Sequence, residues 1–192
     1  MPRPRGRGAA EGAADSGGGV ERGTTSRNAM KKIFASLHSR FSRLFRRKYD
    51  YSRIDCYYAK GERLLLSPEG ECLPFGGGIQ IEPIFEIRAP FERQELERKI
   101  DECFSLCWSK TVDEYPKGPS IIEKHLGIRG YKKIVQQFDF FCITYNKVSK
   151  SYSLMKLSKA ANYKSYSGVE ATAEMGEKID YDYILRMIQE QD

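Results

Sequence analysis

The spacing of apolar and polar positions divides the chain in two. Residues 1–29 are rich in Gly, Ala, Arg and Ser and carry almost nothing large enough to build a core, so a disordered extension is expected there. From residue 30 the texture changes. Ile33, Phe34, Leu37, Phe41, Leu44 and Phe45 recur at helical spacing, and Lys31, Lys32, Arg40, Arg43, Arg46, Arg47 and Lys48 occupy much of the remainder. The pattern predicts a basic amphipathic helix over 30–48. Its apolar stripe suits packing on the rest of the chain, or an interfacial position on an anionic membrane.

Beyond residue 48 the periods alternate between two and three to four. Residues 54–59 and 63–66 are runs rich in Ile, Tyr and Leu around Lys60-Gly61-Glu62, the pattern of a hairpin. Ser67-Pro68-Glu69-Gly70-Glu71 reads as a second turn. After Gly76-Gly77-Gly78, Ile79 and Ile81 alternate with Gln80 and Glu82; Pro83 makes this an edge strand, or two short strands with a bulge. Residues 91–110 read as the clearest helix, with Leu96, Ile100, Cys103, Phe104 and Cys107 at intervals of three and four and Glu92 and Glu95 in the dipole-favoured first turn. Residues 111–119 hold prolines and a glycine and read as a loop.

Ser120-Ile121-Ile122-Glu123 fits a capping box opening a short helix that Gly127 ends. Residues 130–137 suit a second short helix with Tyr131, Ile134 and Val135 inward. Residues 138–145 and 151–157 read as a strand hairpin, 162–168 as a polar loop, and 178–191 as a closing helix. Strands and helices do not alternate regularly. The order predicts a single α+β domain over 49–192, with a mostly antiparallel sheet and helices packed against it, behind the amphipathic helix.

Charge sharpens the division. Residues 1–48 carry 12 Lys and Arg against 3 Asp and Glu, whereas 49–192 carry 20 against 23, a net of −3. The basic isoelectric point belongs to the leader, so direct nucleic-acid binding is not expected from it. The five cysteines, Cys56, Cys72, Cys103, Cys107 and Cys142, are odd in number and form no CxxC; buried reduced thiols are expected. With His38 and His125 as the only histidines, neither a metal nor another cofactor is expected. No run approaches the roughly 20 apolar residues of a membrane span, and no secretory signal is visible. The expected location is cytoplasmic, or membrane-peripheral through 30–48.

No catalytic constellation emerges. The Gly76-Gly77-Gly78 cluster precedes a strand and lacks the Lys-Ser/Thr of a phosphate loop, so it reads as a turn or bulge. His125 has Glu123 as its nearest acid in sequence, two residues away and off its helical face. Asp101 and Glu102, with Asp113 and Glu114, form an acidic stretch that reads as solvated surface or as a contact for a basic partner. The 12 tyrosines suit strands and interfaces alike. A binding protein is expected, and not an enzyme.

The pieces GGGIQIEPIFEI, ELERKIDECFSLCWSK, TVDEYPKGPS, LGIRGYKKIV and FDFFCITYNKVSKSYSLMKL form a Gly-rich turn into a strand, a long helix, a proline-containing loop, a short helix and a strand hairpin. In this order, and at Gly127, Tyr131 and Phe138, the chain resembles the immunity proteins of bacterial contact-dependent growth inhibition systems over residues 77–157. The basic leader and residues 158–176 depart from that pattern. The resemblance implies a cytoplasmic antidote, without a cofactor, that binds the C-terminal toxin domain of a cognate effector, often a nuclease, and occludes its active site. A mildly acidic domain suits a basic toxin, and the residues proposed to meet it are Asp101, Glu102, Asp113 and Glu114. The alternative is a peripheral membrane or docking protein led by helix 30–48.

Overall fold

Strand β1, Tyr51–Ala59, is the middle of the structure because it alternates with apolar residues on both sides of its pleat. Ile54, Cys56 and Tyr58 point to one face and Tyr57 to the other, and all four are buried. The structure is a computed structural model that describes residues 49–73 and 76–189. The expected extension 1–29 and helix 30–48 lie outside the described residues.

β1 turns at Gly61, whose φ of 65° suits glycine, into β2, Arg63–Cys72. β3, Gly77–Gln80, and β4, Phe85–Arg88, follow as two short strands, then helix α1, Arg93–Ser105, and the two-residue strand β5, Thr111–Val112. Two short helices come next, α2 (Ile121–Leu126) and α3 (Tyr131–Gln137). Strands β6 (Asp139–Asn146), β7 (Ser151–Lys159) and β8 (Tyr166–Gly176) and helix α4 (Tyr181–Gln189) complete the chain. The sheet runs β3-β2-β1-β6-β7-β8, with β4 and β5 also on β2. Every pairing is antiparallel except β2–β5. The α+β class and the antiparallel sheet are as the sequence predicts.

One face is covered by α1 and α4. Leu96, Ile100 and Cys103 from α1 and Ile184 and Ile188 from α4 meet Ile54, Cys56, Tyr58, Leu64, Leu66, Phe141, Ile143 and Leu154. Burying one such aliphatic side chain stabilises the fold by roughly 1.5–3 kcal/mol. The second face is covered by α2 and α3, through Ile122 and Ile134 on Tyr57, Leu65, Phe138, Phe140 and Cys142.

Four expectations are corrected. Residues 67–71 are not a turn but the middle of β2. Pro68 is tolerated because β2 changes outer partners there: β4 pairs with 63–66 and β3 with 69–72. The Pro68 carbonyl, on that same side, accepts from Ile81 N–H at 2.9 Å. The long helix ends at Ser105 and does not reach residue 110, because the chain turns to join the sheet: Trp108 N–H donates to Glu69 O and Glu71 N–H to Lys110 O. Hence 111–119 is not all loop; Thr111 and Val112 pair with Glu71 and Cys72. Finally, 162–168 is loop only as far as Ser165, and β8 occupies 166–176. This edge strand is exposed on much of its length; Val169, Ala171, Ala173 and Met175 alternate with Glu170, Thr172 and Glu174, but two of the four apolar residues are alanines and the period-two signal is weak.

The capping box forms as predicted. Ser120 Oγ accepts from Glu123 N–H, and Glu123 returns its carboxylate to the Ser120 N–H at 2.7 Å. The other carboxylate oxygen accepts from Gly130 N–H at 2.8 Å, which ties α2 to the start of α3. The Ser120 amide holds the Glu123 carboxyl below the usual carboxylate range. Replacing Glu123 by Ala removes these bonds together and leaves the part-buried Ser120 and Gly130 amides without their carboxylate acceptor. The expected loss is about 2 kcal/mol, read as a lower urea midpoint with an unchanged slope.

Candidate functional site

The second face grades from apolar to polar along its strands. At the level of Tyr57 the cross-strand neighbours are Phe140 and, beyond it, Leu157, and this row lies under α2 and α3. One pleat further, Asp55 faces Cys142 and then Met155. At the next, Arg53 faces Thr144, Thr144 faces Ser153, and Ser153 faces Glu174. On the other side of β1, Glu69 lies one residue past the last β1–β2 pair, Ile54–Pro68. The core members Ile122 and Ile134 lie in the cluster around Tyr57, so the helical cover belongs to the apolar end, and the row from Glu69 to Glu174 is left half-exposed or exposed.

A bonded network runs from one end to the other. Arg53 Nε donates to Asp55 Oδ1 at 2.9 Å. Gln80 Nε2 donates to Asp55 Oδ2 and to the Tyr57 hydroxyl oxygen, both at 2.7 Å. Tyr57 and Tyr131 join their hydroxyls at 3.1 Å. Burial works against a charged guanidinium, but Asp55 outweighs it and holds Arg53 firmly cationic. The polar row is thereby fixed to the same helix, α3, that covers the apolar row.

Glu69 is the exception. Its Oε2 is enclosed and accepts no hydrogen bond. Burial pushes its carboxyl up to about 7, although Arg53 pulls it down. The side chain lies where a Cβ on Gly78 would be, within 1.6 Å of that position. The glycine cluster therefore does more than turn the chain: Gly76, at φ 61°, makes the turn, and Gly78 leaves room for a carboxylate.

Beside Glu69 is an aromatic corner. Tyr49 stacks on Trp108 with ring centroids 3.8 Å apart and planes 5° from parallel, and Tyr51 meets Trp108 edge-on at 5.4 Å. Trp108 adopts φ 63° and is pinned by its indole N–H to Tyr51 O at 2.8 Å. Tyr49 donates to Glu71, which Thr111 also reaches. Tyr, Trp and Arg together are the residue types that dominate protein contact surfaces.

The acids singled out from the sequence fall on separate elements. Asp101 and Glu102 lie on α1, where Glu102 pairs with Arg98 at 2.6 Å and Lys99 at 3.8 Å. Asp113 and Glu114 are exposed directly after β5, which carries them away from Glu71 and the aromatic corner. Among the described residues no bond joins the two pairs. His125 lies 3.5 Å from Glu86 on β4. All five cysteines are free thiols. Burial raises those of Cys56, Cys103, Cys107 and Cys142, Cys107 to about 11, so none of these is poised as a thiolate. Among the described residues no helix is long and apolar enough to cross a membrane.

Arg53, Glu69, Gln80, Tyr49 and Trp108 were not singled out from the sequence. The available signal was the alternation Tyr51, Arg53, Asp55, Tyr57 against Ile54, Cys56, Tyr58, which places two charges on one face of a central strand.

No protein-family profile and no curated protein matches the chain. Among solved structures it is similar to a protein of unknown function from Neisseria meningitidis, at 7% identity, covering 70% of this chain and 89% of that one with a TM-score of 0.49.

The Glu69 carboxyl gives the site a pH signature. Its folded pKa of about 7 lies above the ordinary 4.5. Its stabilising contribution is therefore present below about pH 4.5 and lost as pH rises through 7. Glu69→Gln, which cannot ionise, is expected to gain on the wild type between pH 5 and pH 8 by on the order of 1–2 kcal/mol after solvent screening. Parallel denaturation series at the two pH values check this; an equal difference at both would remove the assignment.

Proposed function

We propose that this protein is an immunity-type antidote that binds the C-terminal domain of a bacterial toxin and blocks it. The observation that supports this most is the half of the second sheet face that lies beyond the cover of α2 and α3. A central strand there holds Arg53 and Asp55 beside the enclosed carboxylate of Glu69 and a Tyr49–Tyr51–Trp108 corner, preorganised by backbone hydrogen bonds. Rigid aromatic area with a few fixed charges favours tight association, since little side-chain freedom is left to lose. Asp113 and Glu114 are exposed beyond β5, and Asp101 and Glu102 stand on α1, on the other face of the sheet, so all four act on a partner through charge at a distance. A basic toxin domain would be steered by these acids and anchored on the aromatic corner. The order of elements over residues 77–157 supports the same reading. The protein acts by steric occlusion and needs no cofactor.

The reading is tested by co-expressing the full chain with the C-terminal domain of any large effector whose gene lies next to its own. Growth is expected to be rescued and a one-to-one complex recovered. Reversing Asp101, Glu102, Asp113 and Glu114 to Lys is expected to slow association at least tenfold at low salt and to leave the circular dichroism spectrum unchanged. Rescue and binding that ignore this reversal would remove the acids from the interface. Absence of any complex with full-length chain would overturn the antidote reading.

A further inference from the structure

We infer that the α2–α3 cover is a second binding site, one that takes a single-stranded nucleic acid. It lies at the hairpin end of the second face. Ala59, at its edge, is six residues along β1 from Arg53, about 20 Å at ~3.3 Å per residue. The site therefore stands apart from the proposed toxin surface and does not depend on it.

The first observation is charge. Lys124, Arg129, Lys132 and Lys133 are exposed within ten residues, and none has an acid partner among the described residues. Neighbouring charges are treated differently. Lys159 pairs with Asp139 at 2.9 Å and Lys156 with Glu170 at 2.7 Å. Glu86 is shared by Arg63, Arg88 and His125. Glu123, the one acid of this helical pair, is turned inward to Ser120 and Gly130. Four uncompensated cations repel one another, and a polyanion with regularly spaced charges relieves that repulsion.

The second observation is shape. A groove of about 390 Å³ opens beside these helices. It is lined by Ala59, Leu126, Ile128 and Phe138 and by Glu62, Arg63 and Gln137, which supply donors and acceptors. A half-open groove with polar groups and a few apolar side chains offers an unstacked base both contact area and hydrogen-bond partners, and does not suit a duplex, whose bases are turned inward.

The third is the connection between the helices, Gly127-Ile128-Arg129-Gly130. Both glycines have positive φ, 65° and 99°, and a Cβ on either would meet no atom within 4 Å. The loop is thus open above its backbone, and a phosphate can approach it closely. Two short helices joined by a G-x-x-G loop are a known way to clamp a nucleotide backbone. The cations then follow the phosphates while the groove receives bases. A flat bilayer would leave the groove unfilled, and an acidic protein surface would not require one.

The test is fluorescence anisotropy of a labelled oligouridylate with the full chain. Because residues 1–48 are strongly basic, the measurement is repeated on R46E/R47E/K48E. Both proteins are expected to bind, and adding R129E/K132E/K133E is expected to weaken each at least tenfold and to reduce the salt slope by about 2. Gln137→Glu, which places a negative charge in the groove, is expected to weaken binding severalfold, and a duplex of equal length to bind more weakly than the single strand. Circular dichroism checks folding of each variant. The inference is overturned if the single strand does not bind, if R129E/K132E/K133E leaves its affinity unchanged, if duplex binds as tightly, or if anionic vesicles depend on these residues while the oligonucleotide does not.

Discussion

A sheet has two faces, and each must be hidden from water wherever it is apolar. In this protein four helices are available among the described residues, and two of them, α2 and α3, have only six and seven residues. α1 and α4 cover the first face. The short pair can cover only part of the second. The sheet answers by changing its own surface: the row at Tyr57 is apolar and lies under the helices, whereas the row at Arg53 is polar and half-exposed. Most of what is distinctive about the molecule follows from that boundary.

The boundary also explains the electrostatics. Charges at the edge of an apolar cover are partly desolvated, so each needs a partner held in place. Arg53 obtains Asp55, and Asp55 obtains Gln80, which reaches on to Tyr57 and through it to Tyr131 of α3. Glu69 has the same surroundings but no donor for its inner oxygen. Desolvation then wins over the attraction of Arg53. A group left in this state near neutral pH can serve acid–base chemistry or can mark a contact surface. Here the thiols around it are raised, and among the described residues no histidine shares its network. Its strongest neighbours are stacked aromatics, which favour the contact reading.

The elements legible in the sequence were those whose signal is local. The β1–β2 hairpin, the capping box at Ser120, the left-handed stop at Gly127 and the β6–β7 hairpin each depend on residues close together in the chain, and each formed. What was missed depends on partners far away. Pro68 reads as a turn unless one knows that β2 exchanges β4 for β3 at that point. Nothing within residues 91–110 says that Trp108 will leave the helix to donate to Glu69. β8 pairs with β7 through a register interrupted by irregularities, and its alternation of Val169, Ala171, Ala173 and Met175 with Glu170, Thr172 and Glu174 rests mostly on residues too small to mark a buried face. The candidate surface was legible in part: the alternating charges of β1 lay in view, but Glu69, Gln80 and Tyr49 reach it only through the topology.

The same distinction bears on the glycines. Gly76-Gly77-Gly78 reads as a turn or bulge from the sequence, and Gly127 and Gly130 as the end of one short helix and the start of the next. In the structure they do opposite things. Gly78 has no side chain because a carboxylate from another strand already fills that space, so the residue serves internal packing. Gly127 and Gly130 have empty space above them, and what calls for glycine there is the positive φ of the backbone. An open loop between two helices that carry unpaired cations on the outside, while their one acid is folded inward, is not needed to cover the sheet. Ile122 and Ile134 already do that. The outward half of this pair is thus free of structural duty, and its charge is the feature that a purely structural role for α2 and α3 leaves unexplained.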